Sequence, residues 1–383
     1  MEKTQNRFIP GLEGVVASQT RLSHIDGTAG ELYIGGFALE EIAPKATFEE
    51  LVYLLQHDAL PNAQQLDKFS RSLVPFRTIP EVTTYLLARL APHRLSVMDA
   101  LRMGVDTLSV SSEGEGLDRD RRDAQIILGG APTIVASYWR MREGLDPVPP
   151  REDLSHVGNY LYMLAGEDPG EARIRGMETY FNTVIDHGLN ASTFTARVIT
   201  STQSDLISAV VGAIGALKGP LHGGAPGPAL DMVFEIGSPE AAEGYLRAKL
   251  DRGERLMGFG HRVYKVRDPR ADVLSAAAEA MYRADGDMQL YELARSVEKT
   301  AIALLEEKKP GRNLQTNVEY YTALLLHGLG FPVELFTPTF AVSRTAGWLA
   351  HCFEQRAAAR LIRPSSEYIG VVDRSWVPLE ERG

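Results

Sequence analysis

From about residue 45 onward, apolar residues recur every three or four positions, the period of an α-helix with one buried face. Thr47-Phe48-Glu49-Glu50 opens such a helix as a capping box, and Leu51, Tyr53, Leu54 and Leu55 continue it. Asn62 caps a helix carrying Leu66, Phe69 and Leu73, and Pro80-Glu81 starts one carrying Leu86, Leu87 and Leu90. Further helices are predicted at about 96–110, 121–143, 151–166, 170–187, 191–203 and 204–217. Later ones lie at about 270–284, 288–308, 317–328 and 337–359, separated by Pro, Gly or polar clusters. Only residues 12–36 look β-like. There Val15, Val16 and Ala17, then Leu22 and Ile25, precede Asp26-Gly27, and Leu32-Tyr33-Ile34 follow before Gly35-Gly36, as in a hairpin. The predicted class is mainly α.

Two breaks divide the helical pattern. Gly219-Pro220-Leu221-His222-Gly223-Gly224-Ala225-Pro226-Gly227-Pro228 is dense in Gly and Pro, and a charged stretch from Glu243 to Arg255 follows it. Lys309-Pro310-Gly311-Arg312-Asn313 makes the second break. Residues 220–315 are therefore expected to form a small helical domain inserted in a large one, made of 1–219 and 316–383. The most apolar run, Leu206 to Leu217, is shorter than the roughly 20 residues of a membrane span and reads as a core helix. Met1 to Arg7 lack the apolar region of a secretory signal. The single cysteine, Cys352, allows no internal disulfide, which fits a reducing compartment. A cytoplasmic protein away from membranes is expected.

Composition narrows the function classes. The 383 residues are 44% hydrophobic, too apolar for a disordered chain and enough for a large core. Forty basic residues against 50 acidic ones give a net charge of −10, a poor match for nucleic acid, which calls for a basic face.

Three of the nine histidines sit beside glycine in broken segments: His187-Gly188, His222-Gly223 and Gly260-His261. A lone histidine is more often a satisfied structural residue. Glycine beside it, however, lets a ligand approach both ring and backbone. Glu319, in Asn317-Val318-Glu319, starts an apolar helix, where the helix dipole alone would favour a carboxylate. Arg270, Arg344 and Arg363 are the cationic candidates. Arg344 stands among Phe340, Ala341, Val342 and Trp348, and a charge buried there needs an anionic partner. Together these residues suggest a cationic pocket of three arginines and three histidines for a small polycarboxylate.

Several long motifs in order, Leu217 to Ala225, Gly258 to Lys265 with Asp268-Pro269-Arg270, and Asn317-Val318-Glu319, resemble the catalytic segments of the citrate synthase family. The resemblance also takes in Gly11 to Val15, Ile25-Asp26-Gly27, His187 to Thr193, and Leu335 to Arg344, so it covers nearly the whole chain. It implies a citrate-synthase-like two-domain helical fold with a short N-terminal β-hairpin region, assembled as a homodimer with shared active sites. The implied reaction condenses acetyl-CoA with oxaloacetate and hydrolyses citryl-CoA to citrate and CoA. By the resemblance Glu319 is the base, His222 hydrogen-bonds the thioester oxygen, and His261 polarises and protonates the oxaloacetate carbonyl. His187, Arg270 and Arg344 bind the dicarboxylate, with Arg363 supplied by the partner subunit. Leu256, Gly258, Gly260, Lys265 and Asn317 match positions that contact CoA. CoA is then substrate and product, and no metal or other cofactor is implied.

This sequence departs from the family pattern at four places. Glu319 replaces the usual Asp, Pro226-Gly227 an Asn-Glu, Ser365 the last Arg of Arg-Pro-Arg, and Gly35-Gly36 an Arg-Gly. These departures leave other readings open. One is a 2-methylcitrate synthase using propionyl-CoA, since one extra methylene discriminates by only about 1–3 kcal/mol. Another is a low-activity or non-catalytic paralogue that binds citrate. A third is a metal site of two His and one Glu, for which the short ligand spacing is lacking.

Overall fold

Thr47 shows how directly the local chemistry builds this fold. Its Oγ1 accepts from the Glu50 N–H at 3.2 Å, and its own N–H donates to Glu50 Oε2 at 2.7 Å, starting the Phe48–His57 helix. Asn62 and Gln65 make the same reciprocal pair at the start of Ala63–Leu73. The computed structural model describes residues 8–114, 116–223, 226–261 and 263–382. Helices dominate. Arg119–Arg142, Leu206–Leu217 and Phe336–Ala358 pass through the interior, and the last buries Trp348, Arg344 and His351. No single helix among the described residues is long and apolar enough to cross a membrane.

The β-like region is smaller than its pattern suggested, and shifted. Ser23–Asp26 (β1) pairs antiparallel with Glu31–Ile34 (β2), which pairs in turn with Phe37–Ala38 (β3). Val15, Val16 and Ala17 form no strand, and both valines are exposed. The β1–β2 turn takes four residues rather than Asp26-Gly27 alone, because Asp26 Oδ1 accepts from the N–H groups of Thr28 and Ala29. Gly35 and Gly36 make the next turn with φ of 55° and 86°, a conformation that disfavours a side chain at either position. That is a backbone reason for the departure from Arg-Gly.

Two helices sit where the pattern read as a break and a charged stretch: Gly227–Ile236 and Ala242–Asp251. The first begins on Pro226-Gly227-Pro228, where proline starts a helix as readily as it ends one. Gly227–Ile236 and Pro269–Asp285 both pack on Val318–Gly328, the helix that carries Glu319.

Candidate active site

A cavity of about 250 Å³ gathers residues as far apart in the chain as Tyr180 and Arg344. His187, His222, His261, Arg270, Asn317, Glu319 and Arg344 all line it. Arg363 does not; it is exposed on the segment that follows the last long helix. Of the five positions expected to contact CoA only Asn317 reaches this cavity. Leu256 is buried, Gly258 and Gly260 turn at φ of 85° and 82°, and the Lys265 N–H donates to Gly27 O at 2.7 Å. Gly224, Ala225 and Arg262, which belong to the same motifs, lie outside the described residues.

His222 follows the Leu206–Leu217 helix in a turn whose N–H groups at 222 and 223 both bond Gly219 O. A Cβ on Gly223 would stand 2.1 Å from Leu217 O, so glycine is required for the turn to close. The His222 ring meets Ser192, with Nε2 2.7 Å from Oγ and 3.3 Å from the Ser192 N. A backbone N–H can only donate, so Nε2 accepts and the ring hydrogen lies on Nδ1. Trp348 Nε1 donates to the same Ser192 Oγ at 3.1 Å. Burial, with the Arg344 charge, lowers the His222 pKa.

His261 is fixed more tightly. Its Nδ1 accepts from the N–H groups of Val263 and Tyr264, both at 3.1 Å, which places the hydrogen on Nε2. Burial and the neighbouring Arg270 push this histidine down to about 4. His187 lies in the loop between Glu171–Val184 and Ala191–Ser201, with Nε2 3.2 Å from the Tyr264 hydroxyl. Burial first, then Arg270 and Arg344, hold it well below the ordinary histidine range. The three histidines are therefore uncharged hydrogen-bonding groups at neutral pH. The pocket's positive charge belongs to Arg270 and Arg344, not to three arginines and three histidines.

The two arginines are held differently. Asp268 caps the Pro269–Asp285 helix and accepts from Arg270 Nε at 3.0 Å and Nη2 at 2.8 Å. Burial would lower that guanidinium, but the Asp268 carboxylate outweighs it and the net shift is upward. Arg344 donates through Nε to Val184 O at 2.7 Å and stacks over Phe340 at 4.5 Å. Burial dominates there and pulls it to about 10, so it stays charged at neutral pH.

Glu319 stands in the first turn of Val318–Gly328, behind the Asn317 cap, whose Oδ1 accepts from the Glu319 N–H at 2.9 Å. The segment is laced to the His261 loop by an Asn317 N–H to Gly258 O bond of 2.9 Å and an Asn317 Nδ2 to Gly260 O bond of 2.8 Å. Burial raises the Glu319 pKa, and Arg270 opposes the rise. Base candidate and histidine are thus set by one unit of backbone. The sequence reading gave no role to Asp268, Ser192, Tyr264 or Trp348. Asp268 alone carried a signal, an N-cap residue two positions before an arginine.

Known proteins resemble this chain over nearly its whole length. Residues 11–365 match the family model "Citrate synthase, C-terminal domain". A citrate synthase of Haloferax volcanii is 42% identical over 380 residues, covering 97% of this chain and 98% of the relative. A 2-methylcitrate synthase of Shewanella oneidensis is 35% identical over 373 residues, covering 97% of each. The structure of the Thermoplasma acidophilum citrate synthase in ternary complex with carboxymethyl coenzyme A and oxaloacetate superimposes with a TM-score of 0.85 at 33% identity, covering 97% of this chain and 98% of that one. With a full-length match in sequence and in structure, this chain belongs to the citrate synthase family.

Proposed function

We propose that this chain condenses acetyl-CoA with oxaloacetate and hydrolyses the citryl-CoA formed, releasing citrate and CoA. The observation that carries the reading is the convergence of Glu319, His222, His261, Arg270 and Arg344 on one cavity. A methyl group beside a thioester is a very weak acid, so a carboxylate can deprotonate it only if the developing oxyanion is stabilised. Glu319 takes the proton, its burial making the carboxylate a stronger base than one in water. His222, with its hydrogen on Nδ1, donates to the thioester oxygen as charge develops there. The enol carbon attacks the oxaloacetate carbonyl, and His261 Nε2–H gives its proton to the oxygen that becomes the citrate hydroxyl. Water then cleaves the thioester. Arg270, Arg344 and His187 hold the two carboxylates.

The 220–315 segment is the small domain in this reading, and the cavity draws on it and on the large domain. A second copy completes the site with Arg363, which is exposed in this chain on a segment that also exposes Leu361, Tyr368, Ile369 and Trp376. Buried Cys352, its thiol pushed up to about 11, suits a reducing cytoplasm. No resident cofactor is needed.

A CoA-release assay with oxaloacetate and either acetyl-CoA or propionyl-CoA tests the reading. A higher kcat/KM for acetyl-CoA is expected; the reverse order would make the enzyme a 2-methylcitrate synthase. No turnover with either, while citrate still binds, would make it a binding paralogue.

A further inference from the structure

Behind the dicarboxylate end of the cavity runs a file of polar side chains that the proposed chemistry does not use. Ser23 Oγ donates to Asp186 Oδ2, and Asp186 Oδ1 faces His351 Nε2 at 3.2 Å. His351 Nδ1 lies 3.0 Å from Arg197 Nη1, which also donates to Glu354 Oε2 at 2.8 Å. Asp186 and His351 are fully buried, and Arg197 is 2% exposed. A guanidinium can only donate, so His351 Nδ1 accepts and its hydrogen sits on Nε2, aimed at Asp186. One proton arrangement satisfies the whole file.

The Asp186 end of the file touches the substrate pocket. Asp186 immediately precedes His187, and the same Ser23 Oγ accepts from the Gly188 N–H at 2.8 Å, so the loop is held on both sides of His187. The Asp186 charge also acts on Arg344 and partly offsets its burial. At Gly347 a Cβ would fall 2.2 Å from Ile185 O and 3.0 Å from Asp186 Oδ1, so the loop lies directly on the Phe336–Ala358 helix that carries both Arg344 and His351. Apolar packing of the same volume could serve stability at least as well as these buried charges. What it could not do is fix the orientation of a loop through directional bonds.

We propose that Asp186 and His351 are positioning residues for oxaloacetate, acting through His187 and Arg344, with Ser23, Arg197 and Glu354 fixing them in turn. The inference rests on the citrate synthase reading of the same cavity.

Steady-state kinetics with each substrate varied in turn, beside calorimetric titration of oxaloacetate, tests it on three variants. His351→Leu removes both bonds of the ring. His351→Gln retains an acceptor for Arg197 and a donor for Asp186. Ser23→Ala, at a half-buried site, loosens the loop without touching the core. The expected result is a KM for oxaloacetate raised at least tenfold in His351→Leu and about threefold in Ser23→Ala. The KM for acetyl-CoA stays within twofold throughout, and His351→Gln lies close to the parent. An unchanged oxaloacetate KM in Ser23→Ala, or a parallel rise of both KM values, would overturn the positioning role. Should His351→Leu not fold, the other two variants decide. A parent protein that releases no CoA with either acyl-CoA refutes the functional reading itself, which the parent measurement shows before any variant is compared.

Discussion

His261 Nε2 lies 3.3 Å from Arg270 Nη2, and both nitrogens carry hydrogen. The His261 Nε2 hydrogen and the Arg270 Nη2 hydrogen not given to Asp268 are left facing each other without an acceptor, and one oxygen bound within reach of both satisfies them. The keto oxygen or a carboxylate of oxaloacetate fits that requirement. His261→Ala is therefore expected to lower kcat by about 10²–10⁴, the usual contribution of a positioned proton donor. Oxaloacetate binding, followed by calorimetry, should persist through Arg270 and Arg344. An unchanged kcat would remove His261 from the proton transfer.

The acid limb of the pH–rate profile follows from Glu319. Its pKa is raised above the ordinary 4.5 by burial, and only the ionised form is a base. Activity should therefore be complete well above that raised value and be lost as pH falls through it. His261, at about 4, titrates below the ordinary carboxylate value. The limb in kcat/KM for acetyl-CoA is expected to have its midpoint above 4.5, and Glu319→Gln should abolish it while lowering the rate by about 10²–10⁴.

Glu319→Asp tests the extra methylene. The Asn317 cap and its bonds to Gly258 and Gly260 fix the backbone from which Glu319 projects, so shortening the side chain withdraws the carboxylate from its target. A displacement of about an ångström costs on the order of 10²-fold in kcat. A faster variant would show instead that the native Glu is a handicap.

Glu178 offers a stability test away from the site. Burial raises its pKa to about 7, despite Arg175 Nη1 at 3.3 Å. The unfolded chain ionises this carboxyl near the ordinary value of 4.5, so the folded state prefers it protonated. Its favourable contribution is present below that value and is lost as pH rises towards 7, by on the order of 3 kcal/mol. Glu178→Gln should thus be more stable than the parent at pH 8 and lose that advantage at pH 4, as read by urea denaturation at the two pH values.

Gly347→Ala places a methyl carbon 2.2 Å from Ile185 O, a backbone atom that cannot swing aside. A loss of about 1–3 kcal/mol is expected from overpacking of this kind. Because the displaced loop carries His187, the KM for oxaloacetate should rise more than that for acetyl-CoA. Unchanged denaturation and kinetics would show that the loop yields freely.

Much of this fold was legible in order along the chain because helices are local. Thr47 and Asn62 announce their own helices through side chains three residues apart, and Leu206–Leu217 appears with the bounds its apolar run suggests. The misreadings have equally local causes. Gly227 and Pro228 punctuate a loop or open a helix with equal ease, and only packing on Val318–Gly328 selects the helix. Val15 and Val16 suit a strand by composition but meet no neighbouring strand.

By itself the sequence determined the mainly helical class, the glycine-flanked histidines, the base-candidate carboxylate and the family they resemble. Those depend on residue types and spacings within a few turns. Only the tertiary structure decided which groups share a cavity, where each ring hydrogen lies and where the charge resides. His187, His222 and His261 are all suppressed by burial, and Arg270 and Arg344 keep the charge. Such effects arise from desolvation and from partners far apart in the chain: Asp186 and His351, 165 residues apart, share a hydrogen bond that no local pattern could reveal.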